Sequence, residues 1–84
     1  MLKKDNSNKL NVFPSKKSGR ILAYDNDNLQ MPGKIMEMGL LPETSFRILY
    51  SAPFGGPLYI EFGEEKSRIA LRREEARFII VEAV

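Results

Sequence analysis

Ser45-Phe46-Arg47-Ile48-Leu49-Tyr50-Ser51, then Ala52-Pro53-Phe54-Gly55-Gly56-Pro57, then Leu58-Tyr59-Ile60-Glu61-Phe62 is the stretch that decides the fold. Its period of two sets Phe46, Ile48 and Tyr50 on one face and Arg47, Leu49 and Ser51 on the other, as a half-buried strand requires. The middle segment is a tight reversal: two glycines supply any positive φ, and a proline stands at each shoulder. The return strand places Leu58, Ile60 and Phe62 opposite Tyr59 and Glu61. A hairpin is therefore predicted at the centre of the domain.

Working outward, Gly63-Glu64-Glu65-Lys66 is a second turn, followed by a strand over Arg68-Ile69-Ala70-Leu71-Arg72. A single helical turn is expected at Arg73-Glu74-Glu75-Ala76, and a final strand from Phe78 to Val81. Upstream, Arg20-Ile21-Leu22-Ala23-Tyr24 reads as a strand closed by the turn residues Asp25-Asn26-Asp27-Asn28. Leu10, Val12 and Phe13 suggest a further short strand stopped by Pro14. Between Leu29 and Gly39 the period changes: Met31, Ile35 and Met38 form one stripe of a short helix, started by an Asn28 cap or by Pro32 in its first position. Gly39 would stop it in the left-handed conformation, and Pro42 would prevent its resumption. Five or six short antiparallel strands with one inserted short helix predict a mainly β domain, a small SH3-like barrel.

The 84 residues allow one domain, read as residues 9–84 behind a polar, basic tail at 1–8. The chain contains no cysteine and no histidine. Disulfides, zinc knuckles, iron–sulfur clusters and thiol nucleophiles are thereby excluded, together with the commonest general base. No nucleophile–base pair is recognisable, so no catalytic, cofactor-binding or metal-ligating residue is assigned and no enzyme is expected. The net charge of +2 is uneven: residues 1–20 carry six basic side chains against Asp5, and the rest carry seven basic against ten acidic. That basic start motivates an alternative reading as a nucleic-acid-binding small barrel. No run of about 20 apolar residues occurs and no signal-peptide core follows Met1, which predicts a cytoplasmic protein.

Met38-Gly39-Leu40-Leu41-Pro42, Ala52-Pro53-Phe54-Gly55-Gly56-Pro57 and Ile69-Ala70-Leu71-Arg72, in that order and spacing, resemble the FeoA family of ferrous-iron-transport domains. Lys34-Ile35-Met36-Glu37 precedes the first motif as its Arg-Leu-x-x segment does, and Glu75-Ala76 with Ile79 and Val81 completes the last. Lys34 stands where the family usually has arginine, which turns a bidentate contact into a point charge. Glu43 follows Pro42 where the family has glycine, which argues against a positive φ there. Gly56 takes the place of an aspartate. The resemblance implies an SH3-like accessory or regulatory protein that contacts FeoB, the membrane ferrous-iron transporter with a GTPase domain, and it carries the family-level term of transition-metal binding. Related domains also end iron- or manganese-dependent repressors, whose helix-turn-helix segment 84 residues would not accommodate.

The candidate partner-binding residues are Met38, Leu40, Pro53, Phe54, Gly55, Gly56, Pro57 and Arg72. Met38 belongs to a stripe that reads first as core, although methionine adapts to varied partners. Phe54, at a loop tip, either folds over an open barrel end or stands out as an interaction anchor. Gly55-Gly56 lacks the lysine and the following helix of a phosphate loop, so it reads as a turn. Arg72 and Arg73 beside Glu74 and Glu75 read as a solvated face with local ion pairs, or as an arginine offered to a GTPase. Self-association through an uncovered strand or the helix face is left open.

Overall fold

In the computed structural model, which describes residues 9–25 and 31–84, five strands form one antiparallel sheet. These are β1 (Ser18–Tyr24), β2 (Ser45–Ser51), β3 (Leu58–Phe62), β4 (Ser67–Leu71) and β5 (Ile79–Ala83), hydrogen-bonded in the order β4-β3-β2-β1-β5. Two short helices interrupt them, α1 (Met31–Glu37) and α2 (Arg73–Ala76). The sheet bends over one core, and α2 lies in the connection between its two edge strands, β4 and β5. The expected tail at 1–8, most of the Asp25-to-Asn28 turn and the Asn28 cap lie outside the described residues.

The predicted central hairpin is present, with Phe46 opposite Phe62 and Ile48 opposite Ile60. Its alternation holds only as far as Ile48. A bulge follows, so that Tyr50 pairs with Tyr59 and Leu49 becomes the extra residue. One inserted residue turns every later side chain to the other face. Tyr50 is consequently exposed and packs on Tyr59 with ring centroids 5.8 Å apart, while Phe46 and Ile48 remain in the core. The core gathers Ile21 from β1, Ile35 from α1, Leu58, Ile60 and Phe62 from β3, Leu71 from β4, and Ile79 and Val81 from β5.

The strand expected at Leu10, Val12 and Phe13 is a 3₁₀ turn over Leu10–Val12. Three residues per turn bring Leu10 and Phe13 to the same side, where Leu10 is fully buried and Phe13 packs edge-on against Phe46 at 5.1 Å. Val12, which a strand would have placed beside Leu10, is half exposed. Gly19 makes room for this pair: a Cβ there would lie 2.7 Å from the Phe46 ring and 2.9 Å from the Phe13 ring.

Helix α1 follows the stripe read from the sequence. Ile35 is buried, and Met31 and Met38 pack against the core from its edge. Pro32 lies in the first turn, where a missing amide costs nothing. Gly39 stops the helix with φ +96°, and the Leu40 amide returns to the Ile35 carbonyl at 3.3 Å.

The positive φ argued against at Glu43 is there, at +74°. Thr44 donates to the Leu41 carbonyl at 3.1 Å, with Pro42 and Glu43 as the central residues, the arrangement of a type II turn. The Glu43 amide donates to Ile21 at 2.8 Å and the Thr44 carbonyl accepts from Ile21 at 2.9 Å. Two bonds to a buried strand thus hold the turn in a conformation that glycine would adopt without cost.

Candidate functional site

The reversal between β2 and β3 is the most unusual surface of the domain. Gly56 donates to the Pro53 carbonyl at 3.1 Å, and Ala52 donates to the Pro57 carbonyl at 3.0 Å. The two central residues, Phe54 and Gly55, have φ of +59° and +75°, as in the primed turns that match the twist of a hairpin. Glycine adopts this readily and phenylalanine does not. Phe54 is nonetheless fully exposed, at 104% of its reference area. Of its two sequence readings, folding back over the barrel end is the one overturned: the left-handed backbone directs the ring outward.

Gly56, where the family has aspartate, is tightly enclosed. A Cβ there would meet the Ala52 Cβ at 2.8 Å and the Pro53 carbonyl oxygen at 3.2 Å. In this loop, glycine compacts the turn.

What holds the loop is Arg73, a residue that sequence reasoning left on a solvated face. Its Nε donates to the Gly56 carbonyl at 2.8 Å, and its Nη2 to the Ser51 hydroxyl at 2.5 Å and the Ala52 carbonyl at 3.1 Å. Its Nη1 reaches the Asn11 carbonyl at 3.4 Å. One planar guanidinium thereby ties the end of β2, the loop and the 3₁₀ turn to α2. The only sequence sign was an arginine opening a short helix after a strand.

The expected local ion pairs of α2 are not formed among the described residues. Glu75 is buried and accepts from the Arg72 amide at 3.0 Å, while its other oxygen meets Lys34 of α1 at 3.0 Å. Burial pushes the Glu75 carboxyl up, but the Lys34 ammonium, the Arg72 amide and, last, the charge of the Arg72 guanidinium outweigh it and hold the group below its ordinary value. Lys34, standing where the resembled first motif has arginine, and Glu75 of the last motif are thus two halves of one contact. Burial raises the Tyr24 hydroxyl, which donates to the Leu40 carbonyl at 2.6 Å.

The candidate residues do not all share a surface. Gly55, Gly56, Pro57 and Arg72 line one groove of about 630 Å³ with Asn11, Arg73, Glu74 and Arg77. Pro53 and Phe54 form the exposed tip beside it. Met38 packs half-buried on the core, and Leu40 has no exposed area, so its side chain serves folding. The basic start of the chain is partly neutralised: Lys9 pairs with Asp25 at 2.7 Å, and Arg20 pairs with Glu82 across β1 and β5. Among the described residues, no three histidine, cysteine or carboxylate side chains gather as metal ligands, and no helix is long and apolar enough to cross a membrane.

The FeoA domain family model matches residues 8–83. A FeoA-like protein from Clostridium acetobutylicum is 28% identical, with a TM-score of 0.80 over 90% of this chain and 85% of that one. FeoA of Stenotrophomonas maltophilia, an SH3 domain protein solved with zinc, is 25% identical, with a TM-score of 0.72 over 88% of each chain. A manganese-dependent transcriptional repressor shares the fold at 17% identity, with a TM-score of 0.82 over 90% of this chain and 36% of the repressor.

Proposed function

The chain belongs to the FeoA domain family, and from that premise we propose that it is a cytoplasmic accessory protein of ferrous iron uptake, acting by contact with the FeoB-type membrane transporter. It carries out no chemistry of its own. Its docking element is the Pro53-to-Pro57 loop, with Phe54 as the side chain that enters the partner.

A single observation carries this reading: Phe54 is fully exposed on a turn whose backbone is unfavourable for it. Neither core packing nor turn chemistry calls for phenylalanine there. A strained, exposed aromatic on a loop fixed at both shoulders is preorganised for an interface. The guanidinium of Arg73 supplies the rigidity without occupying the tip.

Titration of the chain against the cytoplasmic domain of the transporter, with and without guanine nucleotide, tests the proposal. Phe54→Ser is expected to weaken binding about tenfold or more, and to leave the melting temperature unchanged or slightly raised. Absence of binding in both nucleotide states, or equal affinity of wild type and variant, would overturn it.

A further inference from the structure

The groove between the Phe54 loop and α2 carries an excess of positive charge that Glu74 on its wall and buried Glu75 behind Arg72 offset only in part. Arg72, Arg73 and Arg77 line it against one carboxylate, Glu74. The Arg73 guanidinium is bonded to three carbonyls and a hydroxyl, all neutral. No ion pair reaches Arg72 or Arg77 among the described residues, and Arg77 lies over the Phe78 ring at 5.8 Å. Elsewhere Lys9, Arg20, Lys34 and Arg68 each have a carboxylate partner and Lys16, Lys17, Arg47 and Lys66 have no ion pair among the described residues, but only this groove gathers three arginines in one concavity. The one carboxylate of α2 that is buried, Glu75, is already engaged by Lys34.

Guanidiniums in excess of carboxylates beside a rigid aromatic tip are complementary to carboxylates carried next to an apolar side chain. The concavity, about 630 Å³, falls within the usual size range of binding clefts, about 300–1,000 Å³. A nucleic-acid strand fits less well. Serial base stacking needs more aromatic faces than Phe54 alone. We propose that the groove binds an acidic peptide segment of the partner, with carboxylates on Arg72 and Arg77 and an apolar residue against Phe54. This rests on the docking reading above and names the chemistry of the surface that the loop meets.

The test is fluorescence anisotropy of a short fluorescein-labelled peptide of alternating glutamate and leucine, titrated with the full chain at two salt concentrations. Saturable binding that weakens with salt is expected, with affinity at least about tenfold lower for the double variant Arg72→Glu, Arg77→Glu. The same peptide with glutamine for glutamate should not bind. Both arginines are exposed, so the fold should survive; the milder Arg77→Gln is expected to weaken binding about threefold. Equal binding of the glutamine peptide, or an affinity indifferent to the charge reversals, would overturn the proposal. So would tighter binding of an oligothymidylate than of the acidic peptide. The transporter's cytoplasmic domain forms the second arm. If it binds the wild type and the double variant alike, the groove proposal fails and docking stands. If the acidic peptide binds and that domain does not, docking fails and the groove's ligand chemistry stands.

Discussion

Four described side chains, Lys16, Glu43, Phe54 and Lys66, sit at backbone positions that favour glycine, and Glu43 and Phe54 do so for opposite reasons. Glu43 is held at φ +74° by the hydrogen bonds of its own amide and of the Thr44 carbonyl to Ile21 of β1, and its exposed carboxylate adds only a minor coulombic interaction with Arg20. Glu43→Gly is expected to stabilise the domain by about 0.5–1 kcal/mol, because relief of the left-handed conformation exceeds the added freedom of the unfolded chain. That corresponds to a few degrees in Tm for a domain of this size, read by thermal denaturation; a fall in Tm would contradict it. Phe54, at φ +59°, has the same strain, but its ring is the part of the loop that can act. The proline before Glu43 was a legible sign of a turn. The sign of φ was not, since the residue type argued against it and only the bonds to Ile21 enforce it.

At the scale of elements, two cationic side chains connect segments that are remote in sequence. Lys34 joins α1 to α2 through Glu75. A carboxyl held below its ordinary value of 4.5 contributes stability above that pH, and the contribution is lost as the pH falls through the lowered value. Lys34→Met should therefore cost about 1–2 kcal/mol at neutral pH, a modest figure because the lysine is half exposed. The cost should shrink as the pH falls through that lowered value, below which protonated Glu75 no longer requires the ammonium. Urea denaturation of both proteins in steps from pH 7 downward checks this; a difference that stays constant throughout would count against it. Lys34→Arg should retain the stability.

Arg73 is the second connector. Arg73→Met removes its bonds to Ser51, Ala52, Gly56 and Asn11 and is expected to cost about 1–3 kcal/mol. Amide exchange at Ala52 and Gly56 should accelerate, and affinity for the transporter domain should drop although Arg73 stays behind the tip. Arg73→Lys should recover little, since an ammonium cannot span the same acceptors as a planar fork. Unchanged exchange at both amides would show that the loop holds itself.

For the whole molecule, the missing histidine and cysteine decide what kind of iron-uptake protein this can be. The chain has neither, and its described carboxylates are spread over the surface without forming a three-ligand cluster. Anaerobic calorimetry with Fe²⁺ is expected to find no sub-micromolar stoichiometric site. A tight site would show that metal binding, besides contact, belongs to the role. Charge is distributed unevenly as well: Lys9, Arg20, Lys34 and Arg68 have carboxylate partners, whereas three arginines without an ion pair among the described residues converge beside the Phe54 loop.

The sequence by itself determined the central hairpin, the helix with its Gly39 stop, the last two strands and the short helix between them. Each depends on periodicity or on turn residues within a few positions. It also carried the family's motifs and the candidacy of Phe54. Tertiary structure decided the rest. The bulge that turns Tyr50 outward, the 3₁₀ turn that buries Leu10 with Phe13, the conformation of Glu43 and the Lys34–Glu75 pair all arise from contacts with distant segments. The grip of Arg73 spans 17 to 62 residues of sequence. Local propensity is blind to such distances, because bond geometry and burial at that range exist only once the sheet has closed around its core.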